Sequence, residues 1–252
     1  MRGRYDPARP VLLLGAGSEI GRALARLWAA EGRALILAGR DPERLTRDAA
    51  DLRLRFGARV EVVRWDARDV AGAPDWLDAL PEVPGVVVCL AGAMDPEAAH
   101  DPVRLAALVE ANFTGPAAIL AAAAERLAAL SARTGEATAV VGVGSVAGDR
   151  GRAVNWSYGA AKAGLAAALS GLRQAYARSG CLVITVRPGR VATRMTEGLP
   201  GPALLTLTPE AQARAIARAV ARRRPVAVDW RWRAVMAVIG AIPERLFMRL
   251  RF

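Results

Sequence analysis

PVLLLGAGSEIG, residues 10–21, runs an apolar stretch of strand length into a turn holding Gly15 and Gly17, and the helical period that follows continues to Ala30. Consecutive aliphatic residues suit a strand buried on both faces, and glycines directly behind it permit a tight turn into a helix. Outward from this stretch the same alternation recurs. Strands are predicted at residues 10–14, 34–38, 60–64, 85–90, 138–143, 182–186 and 226–228. Helices are predicted between them at residues 20–30, 42–56, 101–110, 116–132, 158–179 and 209–222.

Strands separated by helices are the pattern of crossover units around a parallel sheet. The expected class is α/β: a Rossmann-type, doubly wound, seven-stranded parallel sheet in a single domain, residues 1–228, with a C-terminal helical appendage, residues 229–252. Neither an internal repeat nor a low-complexity linker breaks it. Two helical segments, GPAAILAAAAERLAAL and YGAAKAGLAAALSGLRQAYA, are rich in alanine and glycine, which suits close packing on the sheet or on a second subunit.

Composition narrows the function. With 252 residues, 53% of them hydrophobic, the chain can bury a core, which excludes disordered and fibrous classes. Its N-terminus, MRGRYDPARP, lacks the apolar stretch of a secretory signal. The apolar run at residues 234–242 is far shorter than the ~20 residues that span a bilayer, so a soluble, cytoplasmic protein is expected. Cys89 and Cys181 lie in apolar strand-like runs without metal-ligand spacing and read as small core residues. His100 is the one histidine and sits in a polar segment, which excludes zinc sites and triads that need two imidazoles; no metal is expected.

The net charge is +11, and its distribution matters more than its size. From Arg214 onward ten arginines face Asp229 and Glu244, a net +8. A nucleic-acid-binding or cofactor-sensing regulator is one reading of that charge. The tail has no aromatic platforms spaced for single strands, so no nucleic acid is expected.

The glycine turn is the first feature with chemistry. Gly15, Gly17, Ser18, Glu19, Ile20 and Gly21 form a strand-to-helix turn in which backbone amides and the helix dipole can stabilise a pyrophosphate. Glu19 puts an anion beside that site. The second strand ends Ala38-Gly39-Arg40-Asp41: no acid stands at its tip for a ribose diol, and Arg40 can pair with a 2′-phosphate, which favours NADP(H) with NAD(H) as the alternative. Asp66 is placed to accept from an adenine amino group or to cap a helix.

Tyr158 and Lys162 carry the sharpest signal. Four apart on a helix, they share a face, and chance placement of the single lysine four after a tyrosine is about one in eighty. An adjacent ammonium favours phenolate, so the Tyr158 phenol is expected to fall toward neutrality and act as a general acid in carbonyl reduction. Ser145, behind the fifth strand, can hydrogen-bond a substrate carbonyl or cap a helix. Asn112, between two helices, can anchor a water that relays protons to Lys162.

With these residues, Ala91-Gly92 and Pro188-Gly189, the chain resembles the short-chain dehydrogenase/reductase family over about residues 10–228. The resemblance implies a catalytic tetrad of Asn112, Ser145, Tyr158 and Lys162 that reduces a ketone to a secondary alcohol. It implies cofactor contacts at Ala91, Gly92, Tyr158, Lys162, Pro188, Gly189 and Thr193, and backbone contacts from Val191 to the nicotinamide carboxamide. Leu14, Glu19 and Cys89-Leu90 depart from the family pattern.

A narrower resemblance, strongest in VMAVIGAIPERLFMRL, is to the reductases of decaprenylphosphoryl-ribose 2′-epimerisation, which implies a lipid-linked keto-pentose. The alternative substrate is a soluble ketone or acyl thioester. A homo-oligomer, dimer or tetramer, is expected. In the tail, Trp230, Trp232, Leu246, Phe247 and Leu250, with Arg249 and Arg251 closing the last helix, read either as an interfacial segment on the inner face of the membrane or as a helix closing over the cleft.

Overall fold

The structure is a computed structural model and describes residues 4–198 and 201–250; Arg251 of the expected tail helix lies outside them. Seven strands form one parallel sheet: β1 (Val11–Leu14), β2 (Leu35–Gly39), β3 (Val60–Arg64), β4 (Val86–Cys89), β5 (Thr138–Val143), β6 (Cys181–Arg187) and β7 (Val226–Val228). Their spatial order is β3-β2-β1-β4-β5-β6-β7, so the chain reverses direction between β1 and β4. In an open α/β sheet a ligand crevice opens at that reversal, outside the carboxyl ends of the strands.

Alternation along each strand divides the core. Val11 and Leu13 face the layer built from α1 (Glu19–Ala30), α2 (Pro42–Phe56) and α7 (Pro209–Ala221), where Leu24, Trp28, Leu45 and Ile216 are buried. Leu12 and Leu14 face the opposite layer, containing α3 (Ala73–Asp78), α5 (Gly115–Thr134) and α6 (Trp156–Ala175), where Leu77, Ile119, Leu120, Leu165 and Leu169 are buried. Burial on both faces explains why the central strands read as unbroken apolar runs. Cys89 and Cys181 are buried free thiols.

The structure adds three features. Helix α3 was not expected; its six residues APDWLD are too few to show a period. The predicted helices near 101–110 and 116–132 are α4 (Pro102–Val109) and α5, joined through a π-helical turn at Glu110–Thr114. This joined stretch, Pro102–Thr134, is the one described helix long and apolar enough to cross a membrane. Its Ile119, Leu120, Ala123 and Leu127 stripe packs on the sheet, as a core helix does. Beyond β7, the tail forms α8 (Trp230–Ala241), N-capped by Asp229, and the short α9 (Glu244–Phe247).

Candidate active site

Three strand ends supply the floor of the crevice. Behind β4 come Ala91 and Gly92, behind β5 comes Ser145, and behind β6 come Pro188 and Gly189. Tyr158 and Lys162 reach it from the first turns of α6, and both are buried. Asn112 comes from the π-helical turn, a local widening that often marks functional positions.

Ser145 caps the short turn behind β5, one of its two readings from the sequence. Its Oγ accepts from the Ala147 amide at 3.1 Å, capping a short 3₁₀ turn, and its hydroxyl is near enough to the Tyr158 phenol to favour the ionised form. The expected fall of the Tyr158 pKa is corrected: burial pushes the phenol up, and the neighbouring Ser145 hydroxyl offsets only part of that. The ammonium lies over the ring, 5.8 Å from its centroid. Lys162 Nζ donates to the carbonyls of Val143 at 3.2 Å and Ala91 at 3.3 Å, and burial lowers its pKa to about 8.

Asn112 is fully buried, with Nδ2 donating to Ala93 O at 2.8 Å and Leu108 O at 2.9 Å, and Oδ1 accepting from the Ala93 amide at 3.2 Å. Gly92 shows how closely Asn112 and Lys162 converge. A Cβ there would stand 2.9 Å from Asn112 Oδ1 and 3.1 Å from Lys162 Nζ. Cys89, beneath Lys162, has its thiol pushed up to about 11 by burial and stays protonated.

The glycine turn fits a dinucleotide. Gly15 has a φ of +79°, and a Cβ on it would stand 3.0 Å from the Ala91 amide; one on Gly21 would stand 2.7 Å from Ala16 O. Gly17 meets only Leu45, at 3.7 Å, which leaves its outer side open for close approach. Ser18 N-caps α1 through the Gly21 amide at 3.1 Å, while the Glu19 and Ile20 amides lie in the first turn, where no intrahelical acceptor is available. Glu19 turns to Arg194 on the far side of the crevice, at 2.8 Å.

At the adenosine end, Arg40 is exposed at the tip of β2. Just after it in the chain, Arg44 and Arg47 of α2, with Arg22 of α1, line a 320 Å³ hollow that also holds Asp41, Glu43 and Asp48. Of these cations, Arg44 and Arg47 lie in the stretch DPERLTR directly behind Arg40, the signal by which the sequence could have shown them. Asp66 is not the N-cap of α3, a position held by Gly72. Its carboxylate is held by Arg68, which keeps it below the usual value.

Behind β6, Val191 is buried and its carbonyl accepts from Thr196 Oγ1 at 2.6 Å and Thr193 Oγ1 at 3.4 Å. The tail closes over this side. Trp232 lies on Gly189, where a Cβ would come within 2.0 Å of the indole, and its Nε1 donates to Leu205 O at 2.7 Å. Trp232 is therefore drawn inward and is not an interfacial anchor. At the other end of α8, Arg150 donates to the carbonyls of Ile239 at 2.7 Å and Ile242 at 2.6 Å. Helix α8 thus runs from the Pro188-Gly189 turn to the loop behind Ser145.

Residues 9–201 match the short chain dehydrogenase family model, and the chain belongs to that family as an NAD(P)-dependent oxidoreductase. An uncharacterized oxidoreductase of Mycobacterium tuberculosis is 34% identical over 96% of this chain and 97% of its own length. A cis-4-hydroxycyclohexanecarboxylate dehydrogenase of Sinomonas cyclohexanicum is 32% identical, over 92% of this chain and 95% of its own. Among solved structures, a Sphingobium yanoikuyae short-chain dehydrogenase in complex with NADPH superposes with a TM-score of 0.74 at 26% identity, covering 94% of this chain and 97% of that one.

Proposed function

We propose that this protein is an NADPH-dependent reductase that converts a ketone to a secondary alcohol, with Asn112, Ser145, Tyr158 and Lys162 as its catalytic set. The observation that carries this reading is the buried Tyr158 phenol beside Lys162, whose ammonium lies 5.8 Å from the ring centroid, with Lys162 and Asn112 meeting around Gly92. When bound, the nicotinamide supplies the hydride that reaches the carbonyl carbon. Tyr158, kept protonated by burial, gives its proton to the carbonyl oxygen, and Ser145 donates a hydrogen bond to the same oxygen. With its pKa lowered to about 8, Lys162 is still cationic at neutral pH and stabilises the phenolate that results. Asn112 anchors a water that returns a proton toward Lys162.

Arg40, an exposed cation just past the end of β2, supports NADPH over NADH, as does the NADPH-bound Sphingobium relative. The remaining proposed cofactor contacts are the turn from Gly15 through Gly21, Asp66, Ala91, Gly92, Pro188, Gly189, Val191 and Thr193. The Sinomonas relative's name, a dehydrogenase of a ring hydroxyl, supports a secondary alcohol and ketone couple. Replacing Tyr158 by Phe keeps the ring and removes the proton. Loss of NADPH absorbance in the presence of a ketone panel should slow by about 10² or more, with NADPH affinity nearly unchanged. Activity within a few-fold of the parent refutes the assignment.

A second reading concerns the keto-sugar of a polyprenyl-phosphate-linked pentose, reached from the inner face of the membrane by a homo-oligomer whose tail, residues 229–252, docks on anionic lipid. It is favoured by a tail surface on which Trp230 is 70% and Met248 75% exposed, Leu246 and Leu250 are exposed too, and Arg233, Arg245 and Arg249 lie among them. Salt-sensitive sedimentation with anionic liposomes, lost on removing the residues after Pro243, is the expected result. A chain indifferent to such vesicles at low salt refutes it.

A further inference from the structure

Glu19 is the first residue of α1, at the mouth of the glycine turn. Its Oε1 accepts from both the Arg194 amide, at 3.2 Å, and Arg194 Nε, at 2.8 Å. Burial pushes this carboxyl up, but the Arg194 guanidinium and the Glu19 and Arg194 amides outweigh it, and the net position is below the usual carboxylate value. The carboxylate therefore sits at the positive end of α1, beside the amides that a diphosphate would take.

Arg194 opens a short 3₁₀ turn, Arg194–Thr196, fixed by reciprocal hydrogen bonds with Thr193. Only its Nε is turned to Glu19, and with the side chain 64% exposed the rest of the guanidinium is open to solvent. A single guanidinium contact, made by an arginine that is itself 64% exposed, is weak, whereas a diphosphate offers two charges and paired acceptors to the guanidinium fork.

We propose that Arg194 is a ligand of the cofactor's diphosphate, and that Glu19 stands in for that diphosphate until the cofactor arrives. This rests on the NADPH reading above. The carboxylate keeps Arg194 at the crevice in the free enzyme and yields it to the phosphates. Further along the chain the carbonyls of Leu204 and Leu205 accept from Arg231 and Trp232 of α8, contacts that do not depend on the Glu19 pair. Glu19, which departs from the glycine of the family pattern, is thus exchanged for the cofactor as partner of the same cation.

The test titrates the full chain, as parent, Glu19→Gln, Arg194→Ala and Arg194→Lys, with NADPH, 2′-phospho-ADP-ribose and 2′-AMP, the last lacking a diphosphate. Arg194→Ala should weaken NADPH and 2′-phospho-ADP-ribose by about tenfold or more and leave 2′-AMP within about twofold, with Arg194→Lys in between. Glu19→Gln should tighten both diphosphate ligands by about threefold or more by removing the competing anion. It should also speed hydrogen exchange of residues 194–198 in the free protein, and that difference should vanish at saturating NADPH. The assignment is overturned if Glu19→Gln weakens or leaves unchanged the diphosphate ligands, if Arg194→Ala is neutral or costs 2′-AMP as much as NADPH, or if exchange in the segment is the same in parent and Glu19→Gln. A parent that binds none of the three ligands overturns the cofactor reading itself, and the assignment with it.

Discussion

Replacing Arg150 by Ala should release the C-terminal helices from the cleft without unfolding the sheet. Its Nη1 meets the carbonyls of Ile239 at 2.7 Å, Ile242 at 2.6 Å and, less closely, Gly240 at 3.4 Å. Its Nη2 pairs with Glu244 at 2.8 Å, and Phe247 stacks 3.8 Å from the guanidinium carbon. Arg150 thus places a cation at the carboxyl end of α8, where the helix leaves unpaired carbonyls and a partial negative charge. Two charge-assisted hydrogen bonds at roughly 1 to 1.5 kcal/mol each are the main loss. The Glu244 pair adds little, because that carboxylate is exposed and screened. The freed carbonyls can be hydrated, which keeps the total near 2 to 3 kcal/mol, or roughly a 30- to 150-fold shift toward an undocked tail.

Limited proteolysis and hydrogen exchange of residues 230–250 read that shift directly. Because α8 joins the Pro188-Gly189 turn to the loop behind Ser145, the ketone KM should rise, and NADPH affinity should fall with it as Gly189 and the Leu204 and Leu205 carbonyls lose their α8 partners. Arg150→Lys should recover only part of the effect, since an ammonium cannot span both carbonyls and stack on Phe247. An Arg150→Ala protein with parental tail protection and parental KM refutes the anchoring argument.

Three other outcomes are expected. Gly92→Ala brings a Cβ within 2.9 Å of Asn112 Oδ1 and 3.1 Å of Lys162 Nζ, so kcat should drop by about tenfold or more, with a stability loss of about 1 to 3 kcal/mol in urea unfolding. Arg40→Ala should weaken NADPH by about tenfold and leave NADH unchanged in paired titrations; an equal effect on both would refute the 2′-phosphate role. Lys162, lowered to about 8 when folded, binds fewer protons folded than unfolded between that pH and its ordinary value near 10.4. The parent should therefore gain stability relative to Lys162→Met as pH rises from about 8 toward 10, and a pH-independent difference between the two in urea refutes the buried-charge account.

The sheet was legible because its strands are buried on both faces and so appear as apolar runs: residues 60–64 and 138–143 were predicted with the bounds the structure has. Helix α3 and the π-helical turn around Asn112 were not, since six residues show no period and a π turn has no sequence signature separate from the helix around it. At the site, Tyr158 and Lys162 were readable because one helix turn sets their spacing. The direction of the Tyr158 pKa was not, because it depends on how deeply other elements bury the phenol. Trp232 alternates with charge like Trp230, yet one is held against Gly189 and the other points to solvent.

Charge context is where local reading stops. Glu19 read from the sequence as an anion opposed to a phosphate site, and by local electrostatics that reading is sound. Its partner lies 175 residues away, at Arg194, and Arg150 meets the end of α8 across 89 to 92 residues. Both pairs bring a cation from one wall of the crevice to an acceptor on another, so the two walls are bound together by contacts with no sequence period. A catalytic surface built by such long-range pairs can keep the Tyr158 and Lys162 spacing while the residues that cover it change, which fits the small share of the substrate chemistry that the sequence discloses.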